Sequence, residues 1–306
     1  MLAHRRTVLD KILSLDPEKD HQEIVKLTVL YEFPWDYNRA MELALYKTFA
    51  VPSIANVLHR SGEFKNNTQK RYDDTDILLS EMLENGYTSI KGRDAIEHMN
   101  WIHSHYPISN EDYLYVLSTF VFESARWINA YGYRKLTRNE ELAGFKYWYE
   151  IGQLMGIKDI PETIEALEQY NIDYEKNKFV FAPENLKVAT STENLMLGWF
   201  LPKFLNPIGR PFLHAIMDDA LLRSFNRKPA SGFLKFLVRG SLKLRGKFLR
   251  LLPVRKTPLL RTTMIDHRYY PNGYQLSDLG PDKLKKAASC PFHKLTDTLK
   301  GAVANS

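Results

Sequence analysis

Residues 109–132 read SNEDYLYVLSTFVFESARWINAYG, and this stretch decides the fold. Ser109 with Asp112 has the form of a capping box, in which the first and fourth side chains satisfy backbone N–H groups left free at a helix start. Beyond it Tyr113, Val116, Leu117, Phe120, Val121, Ser124, Trp127 and Ile128 recur at spacings of three and four until Gly132. That is the wheel of a buried central helix.

The same grammar extends outward. Asp20-His-Gln-Glu23 and Thr137-Arg-Asn-Glu140 also have the capping-box form, and the second opens a helix through Phe145, Trp148, Tyr149 and Leu154, with Gly156 near its end. Pro161 fits the first turn of a helix through Ile164, Leu167 and Tyr170. Further helices are predicted over 5–14, 20–31, 37–49, 72–85, 92–105, 184–200 and 209–225. The alternating run Lys178-Phe-Val-Phe181 has no partner run, so strands are not expected. The fold class is therefore all-α, a multi-helix single domain. Its expected divisions are an N-terminal helical extension over 1–30, a core over 31–225, a basic amphipathic segment over 226–265 and an irregular tail over 266–306.

At 306 residues, 44% hydrophobic and 25% charged, the composition is that of a folded protein with a full core. The single cysteine, Cys290, excludes an intramolecular disulfide and any multi-cysteine metal site, and a reducing, intracellular compartment is the expected setting. The first twenty residues lack the apolar core of a secretory signal, and the most apolar run, Leu195 to Leu205, is too short to span a bilayer. Leu221 to Ile265 holds twelve Lys or Arg and no Asp or Glu, although the whole chain carries only +6. The basicity is local, and with no stacking platform or recognised module in view a nucleic-acid partner is not expected.

Within that segment Lys235, Arg239, Lys243 and Lys247 repeat every four residues among leucines and phenylalanines. A helix here is basic and amphipathic, weakened by Gly240 and Gly246. Two readings stand: it lies on an anionic membrane surface, or its apolar face closes the core while its lysines are solvated.

Candidate chemistry gathers in two places. Arg93 to Pro107 holds three of nine histidines, and Ile96, Met99 and His103 share the face expected to meet the core, while His98 and His105 share another. His103 is thus the histidine expected to be buried, either as a core residue bonded to backbone or as an axial ligand to haem iron. The run Lys70-Arg-Tyr-Asp-Asp-Thr75 puts Arg71 and Thr75 on one helical face. Arg71 there pairs locally or with a propionate, Thr75 is incidental or shapes a pocket, and Asp73 or Asp74 sits near the helix start to complement its dipole. A non-haem iron set drawn from Glu97, His98, His103 and His105 would need these to converge from one helix.

Taken together, Gln69 to Thr75 (QKRYDDT), Met99-Asn-Trp-Ile-His103, Ile108 to Phe120 (ISNEDYLYVLSTF), Trp127, Arg134 to Glu140 (RKLTRNE) and Ile151 to Ile157 (IGQLMGI) resemble the catalytic domain shared by rubber oxygenases, or latex clearing proteins, and the ER-bound oxygenase of mycophenolic acid biosynthesis. The match in order and spacing runs from about Tyr31 to Leu222. The resemblance implies a globin-like helical core, haem b held by one histidine, and dioxygen-dependent cleavage of a carbon–carbon double bond in an isoprenoid or related apolar side chain. It carries the axial role to His103 and the haem-side roles to Arg71 and Thr75. Asp74 stands where rubber oxygenases have a lysine, which reverses a charge beside the pocket and points away from rubber as substrate. Glu63 is the nearest counterpart of the acidic base of the rubber enzymes. The expected setting is the cytoplasm or a membrane periphery, such as the cytosolic face of the ER. The rivals are a non-catalytic, membrane-peripheral helical protein that binds lipid, and a non-haem iron oxidoreductase.

Overall fold

Prolines at first-turn positions start the helices at Pro34, Pro52 and Pro183, and side-chain caps from Ser89, Ser109, Thr137, Thr163, Asp218 and Ser231 start six further helices, so the element boundaries follow local chemistry. The computed structural model describes residues 2–253 and 255–285. Cys290 and the end of the expected tail lie outside the described residues. In chain order the helices are α1 (Leu2–Ser14), α2 (His21–Leu27, running into a π turn at Thr28–Glu32), α3 (Pro34–Thr48), α4 (Pro52–Ser61), α5 (Glu63–Asn66), α6 (Thr68–Asn85), α7 (Ile90–His103) and α8 (Asn110–Tyr131). They continue as α9 (Arg138–Leu154), α10 (Ile164–Lys178), α11 (Pro183–Gly198), α12 (Asn206–His214), α13 (Asp219–Ser224), α14 (Gly232–Leu249), α15 (Arg261–Met264) and α16 (Asp282–Lys285). Among the described residues no strand forms, so the protein is all-α, and no helix is long and apolar enough to cross a membrane.

Local corrections are instructive. Thr137 and Glu140 make a complete capping box, whereas Asp20 makes no cap and instead accepts the N–H of Asp16 (3.0 Å). Ser109 caps α8, but Asp112 is drawn away to Ser53 Oγ (2.8 Å) and Tyr174 OH (2.7 Å). Pro161 precedes α10 rather than starting it, because Thr163 is the cap. The predicted helix over 209–225 is two, α12 and α13, and α4 was not anticipated.

The chain divides into two compact units: residues up to Lys65 with Ile108–Leu259, and Asn66–Pro107 with the segment from Leu260 onward. In the first, α8 is the centre, with α3, α9, α10 and α14 packed on it. Burial reaches well beyond the expected stripe, taking in Leu114, Tyr115, Ser118, Phe122 and Glu123. Those polar groups are answered within the unit: Lys47 Nζ meets Glu123 (2.8 Å) and Glu175 (2.7 Å), and Asn171 donates to Ser118 Oγ (2.9 Å).

Arg134 is the principal cross-link of this unit. Its guanidinium holds Glu32 at the end of the π turn (2.9 Å) and Glu140 in the first turn of α9 (2.7 Å), both carboxylates being fully buried. Glu140 also accepts the Thr28 hydroxyl (3.0 Å) while closing the Thr137 capping box. A second buried carboxylate, Glu193 on α11, gathers Tyr46 OH (2.8 Å), His214 Nε2 (2.9 Å) and Arg227 (3.0 Å) beside the apolar cluster of Phe49, Val188, Leu221 and Phe225.

Helix α14 approaches α8 closely at Gly246, where a Cβ would sit 2.4 Å from the Tyr131 carbonyl oxygen. Gly240 meets nothing within 4 Å. The two glycines therefore separate. Gly240→Ala is expected to stabilise the fold by about 1 kcal/mol through helix propensity, and Gly246→Ala to destabilise it by roughly 1–3 kcal/mol through the clash; urea melts of both read the opposite signs. In the same assay Arg134→Leu costs roughly 3–5 kcal/mol by leaving two buried carboxylates without their cation.

Candidate functional site

All three predicted site residues, Arg71, Thr75 and His103, fall in the second unit, on the paired helices α6 and α7. The turn between those helices is tight. A Cβ on Gly92 would lie 2.0 Å from the Gly86 carbonyl oxygen, so only glycine lets the first turn of α7 fold back on the end of α6. Ser89 caps α7 through the Gly92 N–H (3.0 Å).

His103 ends α7 and is half-buried. Burial, and secondarily the Arg71 guanidinium, push its imidazole down to a pKa of about 4. It is neutral at physiological pH, the form that coordinates a metal. Arg71 also donates to Thr75 Oγ1, one turn further along α6, and the Thr75 hydroxyl donates to the Arg71 carbonyl oxygen (2.9 Å). The structure thus associates Arg71 with both Thr75 and His103.

His103 is not the most buried histidine, contrary to the helical wheel. His98 is fully buried, stacks on Trp101 at 5.5 Å and donates from Nε2 to the Leu279 carbonyl oxygen (3.1 Å), which fixes its tautomer. The cause lies far along the chain: the segment after Leu260 covers the face of α7 that local periodicity assigns to solvent. Burial depresses the His98 pKa as well.

That segment is held by the acidic face of α6. Arg261 forks onto Asp76 (2.9 and 2.6 Å), and Glu84 accepts the Arg261 and Thr262 N–H groups that open α15. Asp73 accepts the Tyr269 N–H (2.7 Å), and Glu81 the Tyr274 hydroxyl (2.7 Å). Asp74 takes the Tyr270 hydroxyl (2.5 Å) and the Gly280 N–H (3.1 Å), while Lys70 joins Asp74 (2.8 Å) to the Gly280 carbonyl (2.6 Å). The expected irregular tail is therefore a docked component of the unit as far as it is described. Neither Asp73 nor Asp74 lies in the first turn of α6, so the dipole reading of them fails. The negative charge of Asp74, expected to alter the pocket, is matched one turn back by Lys70.

The donor set bears on the two metal readings. Glu97 and His105 are exposed, His105 Nδ1 meeting the Trp101 carbonyl oxygen (2.7 Å), and among the described residues no three His, Cys, Asp or Glu come together as a ligand group. A haem needs only one protein ligand with its other face open. A neutral imidazole at a helix end would supply that one ligand, and the guanidinium whose charge acts on it is a group suited to a propionate. Glu63 opens α5, in the first unit.

Comparison with known proteins agrees in direction. Residues 50–258 match the family model described as ER-bound oxygenase mpaB/B'/rubber oxygenase, catalytic domain. The chain is 26% identical to ER-bound oxygenase mpaB' of Penicillium brevicompactum, over 86% of this chain and 81% of that protein. It is 29% identical to ER-bound oxygenase mpaB of Penicillium roqueforti (strain FM164), over 66% of this chain and 74% of that one. A third relative, ER-bound oxygenase mpaB of Penicillium brevicompactum, is 28% identical over 55% of this chain and 47% of its own length. With more than half of its length matched, and with Arg71, Thr75 and His103 all inside the matched span, the chain belongs to the ER-bound oxygenase mpaB/B'/rubber oxygenase catalytic-domain family.

Proposed function

We propose that the protein is a haem b-dependent oxygenase that cleaves a carbon–carbon double bond in an isoprenoid or related apolar side chain, meeting this substrate at an anionic membrane surface. The observation that carries the reading is the neutral, burial-shifted imidazole of His103 with the Arg71 guanidinium beside it and Thr75 one turn away. Haem, when bound, supplies the binding and activation of dioxygen. The net change replaces one C=C by two C=O groups, uses both oxygen atoms and needs no external reductant.

The chain's own tasks follow from its residues. His103 offers a nitrogen lone pair because desolvation keeps the proton off. Arg71 opposes protonation of that imidazole and supplies a cation for a propionate. Thr75 holds a hydroxyl at the guanidinium. The segment on α6 keeps α7 in place through His98. A non-catalytic lipid-binding protein is the second reading, favoured by the outward apolar face of α14, and it predicts a colourless protein.

The deciding measurement is the ultraviolet-visible spectrum of protein expressed with haem precursor, reduced with dithionite and exposed to carbon monoxide. A stoichiometric Soret band that shifts with carbon monoxide, and is lost or altered in His103→Ala, is the expected result. Folded, haem-supplied protein without a band would sink the haem mechanism, and iron analysis would then separate a non-haem enzyme from a lipid-binding scaffold.

A second prediction concerns the apoprotein. The unfolded chain takes up a proton on this imidazole near pH 6.5, the folded chain only near 4. Stability linked to His103 is therefore fully present above about pH 6.5 and falls as the pH drops towards 4, by at most about 3 kcal/mol. Relative to His103→Gln the wild type should lose stability across that window. Arg71→Gln should raise the His103 pKa observed by NMR without restoring 6.5, since burial is the larger cause.

A further inference from the structure

Helix α14 is amphipathic in the inverted sense. Its cations on the protein side are anchors: Lys235 pairs with Asp219 (2.5 Å), Arg239 donates to the carbonyl oxygens of Ala215 (2.9 Å) and Met217 (3.0 Å), and Arg245 reaches Asp36 (2.9 Å) over the Trp35 ring. The opposite face shows Phe233, Phe236, Leu244 and Phe248 to solvent, with Lys243 and Lys247 exposed along its edge. Of the four cations expected to touch a membrane, two are thus committed to holding the helix down. The aromatic residues point outward, whereas Leu234, Val238, Leu242 and Leu249 are half-buried.

A second apolar surface stands beside it. Helix α12 packs on α14, and the Arg239 anchor falls at Ala215, the residue just after α12. Before and along α12, Phe200, Phe204, Ile208 and Phe212 are exposed. Phe200, Phe204, Phe233 and Phe236 are each 76–79% exposed, a degree no soluble surface requires of four phenylalanines. Residues 194–217 and 220–265 contain no Asp or Glu.

We infer that α12, the turn before it and α14 form one docking face that lies in the plane of an anionic bilayer. The phenylalanines enter the headgroup and acyl boundary, and Lys203, Lys243 and Lys247 meet lipid phosphates. Charge selects this occupant: a second copy would bring the same cations against one another, whereas an anionic lipid surface supplies the opposite sign and an apolar layer to receive the rings. The helix axis lies along the membrane, since one side of α14 is fastened to protein. The inference rests on the membrane-delivery part of the proposed function and is independent of haem.

The test is co-sedimentation of the full chain with vesicles of phosphatidylcholine alone or mixed with phosphatidylserine, with haem content recorded on the same samples. Wild-type protein is expected to bind the mixed vesicles and to be released by salt. The surface variants F200S/F204S and F233S/F236S should each weaken binding by about tenfold or more with unchanged circular dichroism. K243E/K247E should abolish the preference for phosphatidylserine. Vesicle binding that persists undiminished in both phenylalanine variants overturns this face while leaving membrane delivery standing. Wild-type protein that binds neither vesicle overturns both, whatever its colour. Self-association abolished by the phenylalanine variants, with no vesicle binding, assigns the face to a second copy and overturns the inference.

Discussion

A helix buried on nearly every side must have its polar groups answered by protein, and α8 imposes that condition on the first unit. Asp112, Ser118 and Glu123 are inside, so Ser53, Tyr174, Asn171 and Lys47 are placed where they complete them. A half-satisfied network of this kind is worse than an apolar core, which makes it an all-or-none determinant of how α3 and α10 seat. The Arg134 cross-link extends the same logic to α9 and the π turn. Its two carboxylates are fully buried, and the guanidinium fork is the geometry that suits a pair of them.

The second unit uses charge differently. One face of α6 is a column of carboxylates directed at the segment beyond Leu260, and another face of the same helix carries Arg71 and Thr75. Confining the acidic groups to the docked face leaves the His103 side with a cation. Burial and the nearby positive charge both lower the proton affinity of the imidazole there, so the two causes act in the same direction. A carboxylate in place of Arg71 would favour the protonated ring instead.

What was legible in the sequence was whatever is local. The wheel of α8, the Thr137–Glu140 box and the i,i+4 pairing of Arg71 with Thr75 depend on residues within a turn or two. The Asp20 box and the Pro161 start failed at the same range, because a rival acceptor or cap sat a few residues away. His98 was misassigned for a different reason: its partner is Leu279, and no periodicity on α7 encodes a segment that arrives from the far end of the chain. For α14 the alternation of Lys with Leu was plain, but which face turns inward was decided by Asp36, Asp219 and two carbonyl groups elsewhere. The family motif Arg134 to Glu140 reads as a signature of oxygenases, yet its charged residues brace helix starts.

The division of the second unit into two stretches of chain has a consequence for biosynthesis. Helices α6 and α7 leave the ribosome early, but the segment that covers His98 and engages Asp73, Asp74, Asp76 and Glu84 is made only after all of residues 108–259. Until then the α6 carboxylates face one another without their partners, and α7 exposes a surface meant for burial. The unit closes last, across a long loop whose entropy cost is met only by contacts formed at the end. A nascent chain therefore completes the framework around α8 before the helix pair bearing His103 is sealed, and the order of synthesis sets the order in which the two units come into being.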